Sequence, residues 1–188
     1  MPNNKIILGF TGQIASGKGT AVEYLKTKYG AHTYRFSTML RDLLNRIYLP
    51  QSRENLQDIS RLIREHFGED TLAHVMAEDV KNDPGALVVI DGIRRPDDVA
   101  FLAKLPGFVL IHISADMEKR FERITVRGEN SDDTTKTFEN FKKDHTNEAE
   151  LKITEIAKEA TETIDNNGTL KQLHEQLDRL VEKYAGTY

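Results

Sequence analysis

Short apolar runs alternate along the chain with longer stretches in which apolar residues recur at helical spacing. The runs at 5–10, 87–91 and 108–113 have the length and composition of buried strands, and weaker strand patterns cover 32–36 and 162–165. Helix-period stretches separate these strands. Such alternation is typical of a parallel sheet with helices on both faces, and we predict a three-layer α/β/α domain around a central five-stranded parallel sheet.

Local signals indicate where several helices begin. Thr169 and Gln172 form the pattern of a capping box, Pro96 suits the first turn of a helix, and Ser114 is a predicted cap for the helix that follows it. A further helix is predicted over 137–160.

The region 37–82 has helix patterns only. One helix is predicted to follow a cap at Ser37 and to end before Pro50, and the last one follows a predicted cap at Asp70. A βαβ crossover needs only one helix. We therefore expect 37–82 to be a helical insert within a single domain that spans 1–188.

The composition narrows the possible functions of a chain of 188 residues. Cysteine is absent, which excludes disulfides and cysteine-ligated zinc and favours a cytoplasmic protein. The net charge of −4 argues against extensive nucleic-acid binding, and no apolar run is long enough to cross a membrane. We expect a small-molecule ligand, and either a monomer or a homodimer.

Residues 9–20 carry the spacing of a phosphate-binding loop between a strand and a helix. Gly12 and Gly17 allow a tight turn whose N–H groups face an anion, and Lys18 can reach the β- and γ-phosphates of a nucleotide. A glycine-rich turn beside a surface lysine is the alternative. The expected nucleotide-binding residues are Gly12, Gln13, Ile14, Ala15, Ser16, Gly17, Lys18, Gly19 and Thr20.

The threonine of this loop comes one position later than usual, because Gly19 follows Lys18 and Thr20 comes next. The string Gly-Lys-Gly-Thr resembles the loop of the adenylate kinase-like nucleoside monophosphate kinases. This resemblance implies a P-loop kinase fold that uses ATP and Mg²⁺. It also implies that the metal is held largely through water near Thr20, with help from an acidic residue elsewhere.

Asp91 stands at the carboxyl end of a predicted strand, where open α/β sheets bind their ligands. The string Asp91-Gly-Ile-Arg94-Arg95 resembles the Asp-Gly-Phe-Pro-Arg motif of adenylate kinases, which implies Asp91 at the metal ion and an arginine on the acceptor phosphate. The adenylate kinase register favours Arg95, whereas related deoxynucleotide kinases favour Arg94. A helix cap beside two solvated arginines is the alternative. Val99 replaces the glutamine that reads adenine in adenylate kinases, so a strict adenylate kinase is not expected.

The string Ser37-Thr38-Met-Leu-Arg41 resembles the start of the acceptor-binding subdomain in the same kinases. The resemblance implies that Ser37, Thr38 and Arg41 bind the acceptor, with Arg41 on its phosphate. A capped helix with an exposed arginine is the alternative. Arg61 and Arg64 share the face of a later helix, and Arg64 is a further candidate for the acceptor cleft unless it is simply solvated.

Arg120, Arg123 and Arg127 share one face of a predicted helix, where like charges repel unless an anion or acidic partner is present. The segment resembles the lid entry of monophosphate kinases. That resemblance implies a lid over about 120–145, with Arg123 stacked on the donor adenine and Arg127 on the transferred phosphoryl group. Ion pairs with nearby glutamates are the alternative.

Asn167 and Gly168 follow the last predicted strand. They resemble the closing segment of dephospho-coenzyme A kinases, which implies a place beside the donor base. An ordinary strand-to-helix turn is the alternative.

The residues and the resemblance together favour phosphoryl transfer from ATP to a nucleoside or deoxynucleoside monophosphate. The expected catalytic residues are Lys18, Asp91, Arg94, Arg95, Arg123 and Arg127. A dephospho-coenzyme A kinase is one alternative, although its usual loop carries Lys-Ser or Lys-Thr. A nucleotide-switch ATPase is another.

Overall fold

The protein is described by a computed structural model that covers residues 5–127, 137–144 and 148–186. The strands are β1 (Ile6–Thr11), β2 (His32–Arg35), β3 (Leu87–Asp91), β4 (Phe108–Ser114) and β5 (Glu162–Asp165). They form one sheet in the order β2-β3-β1-β4-β5, and every neighbouring pair is parallel. The prediction of a five-stranded parallel sheet is confirmed.

Helices cover both faces of this sheet. In chain order they are α1 (Lys18–Tyr29), α2 (Phe36–Arg46), α3 (Arg53–Phe67), α4 (Thr71–Asn82), α5 (Pro96–Leu102), α6 (Met117–Arg127), α7 (Phe138–Asp144), α8 (Glu148–Lys158) and α9 (Leu170–Ala185). One hydrophobic core lies between the sheet and α1 with α9, and the other between the sheet and α4, α5 and α8. The predicted three-layer α/β/α arrangement is confirmed.

The central strand β1 is buried along its whole length because both of its faces are covered. Leu8 and Phe10 point into the first core, and Ile7 points into the second. Gly9 is required by close packing, since a Cβ there would lie 2.6 Å from Ile93 Cδ1 and 2.7 Å from the Phe108 ring.

Three predicted helix starts are confirmed and two are wrong. Asp70 is the N-cap residue of α4, although its side chain makes no capping hydrogen bond. The Thr169 capping box is present, and Pro96 occupies the first turn of α5. Ser37 lies inside α2, because Arg35, the last residue of β2, has extended backbone and already serves as the N-cap residue. Ser114 ends β4 instead of capping α6, which begins three residues later at Met117.

The predicted helical region 37–82 is divided between two environments. Helices α2 and α3 pack against each other, whereas α4 contributes Met76, Ala77 and Val80 to the second core. Its last helix is therefore part of the three-layer domain. An acceptor-binding role for 37–82 stays a prediction.

The region after α6 is described only in part. Within the predicted helix 137–160 the structure has α7 and α8, and residues 145–147 between them lie outside the described residues. The predicted lid, about 120–145, likewise includes residues outside the description. No helix among the described residues is long and apolar enough to cross a membrane.

Candidate active site

The loop between β1 and α1 has the backbone of an anion-binding site. Gly12 and Gly17 adopt φ values of 152° and 105°, and Ala15 adopts a φ of 59°. A Cβ on Gly12 would lie 2.5 Å from Ile113 O and 2.8 Å from Ser16 Oγ. Helix α1 begins directly at Lys18, so the positive end of its dipole points at the loop.

Lys18 folds back across this loop. Its Nζ donates to Gly12 O at 2.5 Å and to Gln13 O at 2.9 Å. The Ser16 side chain is 1% exposed, and its Oγ is buried without a hydrogen-bond partner in the described part of the protein. The arrangement places an ammonium group across the loop, which suits a phosphate, and a buried hydroxyl beside Gly12.

Asp91 lies beside the loop because β3 is the neighbour of β1, with Asp91 opposite Phe10 in the register. Arg35, at the end of β2, donates to Asp91 Oδ2 through Nε at 2.8 Å and Nη2 at 2.5 Å. The other oxygen, Asp91 Oδ1, is buried without a hydrogen-bond partner among the described residues. One carboxylate oxygen is thus held by Arg35, and the other is available to a ligand.

Sequence reasoning missed Arg35. The signal that could have found it is its position: a parallel strand that ends at Arg35 brings that residue to the same sheet edge as Asp91.

A cavity of about 250 Å³ lies beside Arg35 and Asp91. The residues that line it include Gly19, Glu23, Lys26, Arg35, Thr38 and Asp91. Gly19 opens onto space, since a Cβ there would meet no atom within 4 Å. Thr38 reaches this cavity, and Ser37 beside it is half-buried. Arg41 is exposed and donates to Gln51 Oε1 at 3.0 Å, so it is not gathered with Asp91.

The oxygen atoms at this site fit a magnesium ion that keeps most of its water ligands. Carboxylate and hydroxyl oxygens are the ligands that Mg²⁺ prefers, and Mg²⁺ is usually held by one or two protein groups together with substrate phosphates. Asp91 Oδ1 is a buried acceptor with no described hydrogen-bond partner. The open space at Gly19 leaves room for water ligands. No group of three or more His, Asp or Glu side chains that could hold a metal alone occurs in the described ranges.

A second group of arginines lies where α3, α4 and α5 meet. Arg64 is 8% exposed, donates through Nη1 to Glu69 O at 2.6 Å, and has a buried Nε with no described partner. Burial and the charge of nearby Arg95 lower the pKa of Arg64. Arg95 Nη1 contacts Glu69 Oε2 at 3.3 Å, while Arg94 is exposed.

Asp98 orients the backbone beneath this group. Its Oδ2 accepts from the backbone N–H groups of Arg94 at 3.2 Å and Arg95 at 3.1 Å. Burial raises the pKa of Asp98, and its Oδ1 has no described partner. Val99, next to it, is packed in the second core. The position at which adenylate kinases read adenine is therefore an interior position here.

The helix α6 contacts both the loop and the segment after β5. Arg120 is 3% exposed and donates to Ala115 O at 2.9 Å and to Ile14 O at 3.4 Å. Arg123 Nη2 donates to Asn166 O at 2.7 Å, and its Nη1 is buried without a described partner. The backbone of Arg127 ends α6, but its side chain lies outside the described residues.

The segment after β5 is held by side chains and backbone together. Asn167 Oδ1 accepts from Asp116 N at 2.8 Å, and Lys119 Nζ donates to Asn167 O. Gly168 is exposed at the start of the turn into α9. The sequence drew attention to the segment 166–168 and named Asn167 and Gly168 as binding residues, but the side chain that reaches the loop is that of Asn166.

Five buried side-chain atoms in the described residues have no hydrogen-bond partner: Ser16 Oγ, Arg64 Nε, Asp91 Oδ1, Asp98 Oδ1 and Arg123 Nη1. Buried polar atoms are nearly always paired, so such atoms call for an explanation. Four of the five belong to predicted site residues, and the fifth orients Arg94 and Arg95. For Asp91, which lines the cavity, a polar ligand is the simplest explanation of its unpartnered Oδ1.

The parallel sheet and the strand–loop–helix geometry define a P-loop protein with a kinase-like fold. Residues 11–142 match the family model AAA_17, described as an AAA domain, and the chain belongs to that family. Curated relatives of the chain include UPF0200 proteins from several archaea. The chain is 27% identical over 183 residues to the one from Hyperthermus butylicus, with 97% of each chain covered. It is 33% identical over 129 residues to the one from Methanoregula boonei, covering 67% of this chain and 69% of that relative.

Solved structures share the fold. Shikimate kinase from Bacteroides thetaiotaomicron has a TM-score of 0.66 at 14% identity, with 96% of this chain and 98% of that chain covered. The protein TT1252 from Thermus thermophilus has a TM-score of 0.60 at 18% identity, with 95% and 97% covered. At these identities the likeness establishes the fold alone.

Proposed function

We propose that the protein transfers the γ-phosphoryl group of ATP to a nucleoside or deoxynucleoside monophosphate. The observation that supports the proposal is that unpartnered buried polar atoms occur in the phosphate loop, at Asp91 and in the arginine group of α3 and α5. Hydroxyl and guanidinium donors in these positions suit phosphate groups, and the carboxylate oxygen suits a hydrated metal ion.

On the donor side, the loop amides and Lys18 would bind the β- and γ-phosphates, since Lys18 already lies across the loop. Asp91, with Thr20, would hold Mg²⁺ through water. The ion would neutralise negative charge on the phosphate oxygens.

On the acceptor side, Arg64 and Arg95 would hold the acceptor phosphate, with Thr38 and the neighbouring Ser37 near the rest of the nucleotide. Burial, and then the charge of Arg95, lower the pKa of Arg64, while the carboxylates of Asp98, Glu69 and Asp97 act in the opposite direction. A phosphate would add a further negative charge beside the two guanidinium groups. Arg94 and Arg41 are exposed in this structure and would have to approach as the cleft closes.

The chemistry requires no general base. An acceptor phosphate oxygen, already ionised, forms a new bond to the γ-phosphorus while the bond from that phosphorus to the β,γ-bridging oxygen breaks. ADP leaves with the electron pair, and a nucleoside diphosphate is formed. Arg123 and Arg127 on α6 would stabilise the transferred group, and closure must exclude water to prevent hydrolysis.

The decisive experiment measures ADP release from ATP with each ribo- and deoxynucleoside monophosphate, and with dephospho-coenzyme A, as acceptor. We expect strong stimulation by at least one monophosphate. Stimulation by dephospho-coenzyme A alone would replace the proposal with phosphorylation of a hydroxyl group, and no stimulation by any acceptor would contradict a small-molecule kinase.

The donor assignment is tested by Lys18→Ala. Transfer should fall by at least about a hundredfold, because a charge that stabilises the transition state is lost, while circular dichroism remains unchanged. Lys104→Ala is the matched control, since Lys104 lies over the Phe101 ring at 4.5 Å, away from the loop. Equal turnover in the two variants would contradict the assignment of the loop.

A further inference from the structure

Asn166 connects three parts of the site through separate hydrogen bonds. Its backbone N donates to Ser114 O at 2.8 Å, and its backbone O accepts from Arg123 Nη2 at 2.7 Å. Its side-chain Nδ2 donates to Ser16 O at 2.8 Å, across 150 positions of sequence. The residue is 6% exposed, so solvent does not compete for these bonds.

The bond to Ser16 fixes the direction of the next backbone amide in the phosphate loop. A peptide group is planar, and in the trans form its C=O and N–H point in opposite directions. Because the Ser16 carbonyl points at Asn166 Nδ2, the Gly17 N–H points away from Asn166 Nδ2 within the same peptide plane. A loop that binds phosphate through backbone amides depends on such orientation.

Gly17 and Asn166 also pack directly against each other. A Cβ on Gly17 would overlap Asn166 Nδ2, so any larger residue at Gly17 must displace the asparagine. The left-handed φ of 105° at Gly17 is a second reason for glycine there. The two residues therefore form one unit, in which the asparagine supports the backbone of the loop.

We infer that Asn166 is a positioning residue for the donor nucleotide: it orients the Ser16–Gly17 peptide toward the phosphates and links that peptide to Arg123. The inference rests on the proposed binding of a nucleotide at the loop, but not on the identity of the acceptor. Asn166 acts through the loop and through Arg123, and it needs no contact with the nucleotide itself.

A double-mutant cycle on ADP affinity tests this role. Asn166→Ala should weaken ADP binding, measured by calorimetry with Mg²⁺, by about tenfold, the size of one lost hydrogen bond in a closed site. Gly17→Ala introduces the strain of a left-handed φ whether or not Asn166 is present. The cycle therefore isolates the loss of affinity that comes from overlap between the alanine Cβ and Asn166. We expect Gly17→Ala to cost several-fold less affinity in the Asn166→Ala background than in the wild type.

Asn166→Asp is the second variant, because it keeps the shape, removes the donor and places a negative charge beside the Ser16 carbonyl. It should also weaken ADP binding, and thermal unfolding without ligand checks that each variant is folded. Asn82→Ala is the matched control, since Asn82 Nδ2 likewise donates to a backbone carbonyl, Glu78 O at 2.8 Å, on the surface. We expect its ADP affinity to equal that of the wild type.

The possible outcomes separate this inference from the proposed reaction. Additive losses in the cycle, or unchanged ADP affinity in Asn166→Asp, would overturn the positioning role of Asn166. Coupled losses with no acceptor active in the screen would support the positioning role and contradict the kinase. A wild-type chain that binds no ADP would overturn both.

Discussion

Arg35 and Asp91 end neighbouring parallel strands, lie opposite each other in the register, and form an ion pair in which two guanidinium N–H groups bind one carboxylate oxygen. Asp91 is 6% exposed, so without Arg35 it would be a nearly buried charge with no ion-pair partner among the described residues. In this arrangement Arg35 supplies the positive charge that a metal ion would also supply. The pair therefore links the stability of the domain to the state of its candidate metal site.

Arg35→Met should destabilise the protein and make it more responsive to metal. Leaving a buried carboxylate unpaired costs about 1–3 kcal/mol of unfolding free energy. Mg²⁺ with ADP should restore part of this loss by neutralising Asp91, so the ligand-induced rise in Tm should be larger in the variant than in the wild type.

Arg61→Met is the control for this comparison, because Arg61 pairs with Asp58 at 3.1 Å on the exposed face of α3. Its Tm response to Mg²⁺ and ADP should match the wild type. The same response in all three proteins would show that Arg35 has no connection with the metal site.

Gly19→Ser should strengthen the dependence of nucleotide binding on metal. A Cβ at Gly19 meets no atom within 4 Å, so a serine fits without repacking. Its hydroxyl would stand at the position that usually supplies a direct metal ligand in such loops. We expect half-maximal ADP binding at a several-fold lower Mg²⁺ concentration.

Gly19→Ala isolates the hydroxyl from the added bulk. The alanine variant should require as much Mg²⁺ as the wild type. If serine and alanine shift the metal requirement equally, the space at Gly19 is not next to the metal.

Glu69→Gln should improve acceptor binding. The Glu69 carboxylate contacts Arg95 Nη1 at 3.3 Å and so competes with an acceptor phosphate for that guanidinium. Because the pair is largely exposed, its loss should lower the KM for the acceptor by only about two- to fivefold at low salt. Steady-state kinetics with the acceptor found in the screen measures this effect.

Glu65→Gln removes a similar charge from α3, where Glu65 contacts Arg61 at 3.5 Å. It should leave the KM for the acceptor unchanged. Equal values for the two variants would assign the acceptor phosphate to a residue other than Arg95.

Local spacing in the sequence predicted the elements that depend on neighbouring residues. A phosphate loop is recognised from glycines and a lysine within a short segment, and Asp91 from its place at the end of an apolar run. Both could therefore be predicted from local sequence. The fold class followed from the alternation of strand and helix patterns. Ser37 was misplaced because a cap is chosen by backbone conformation as well as by side chain, and Arg35 already had the extended backbone.

Contacts between distant parts of the chain could not be predicted in this way. Nothing near Asn166 indicates that its side chain reaches Ser16, and nothing in α4 indicates which surface its apolar face covers. Helical periodicity shows that a face is apolar but not what lies against it. Residues of this kind were found only when the sheet order and register were known.

Asp178 on α9 accepts hydrogen bonds from residues of α1. These bonds predict that the wild-type protein loses stability when the pH falls into the acid range. Burial alone would raise the pKa of Asp178, but hydrogen bonds from Lys28, Tyr29 and Tyr24 outweigh it and lower the pKa to about 2. A carboxyl whose pKa is lower in the folded state stabilises the fold above its unfolded pKa, about 3.9, and loses that contribution as the pH falls.

Asp178→Asn should therefore reduce the free energy of unfolding at pH 7 by about 1 kcal/mol, a modest value because the side chain is 26% exposed and Lys28 is screened by solvent. The difference from the wild type should shrink as the pH falls through about 4 and vanish near the folded pKa of about 2. Urea unfolding of both proteins across this range measures the difference directly. A difference that stays constant down to the lowest pH would show that the loss comes from packing, and that the charge of Asp178 contributes nothing to the contact between the two helices.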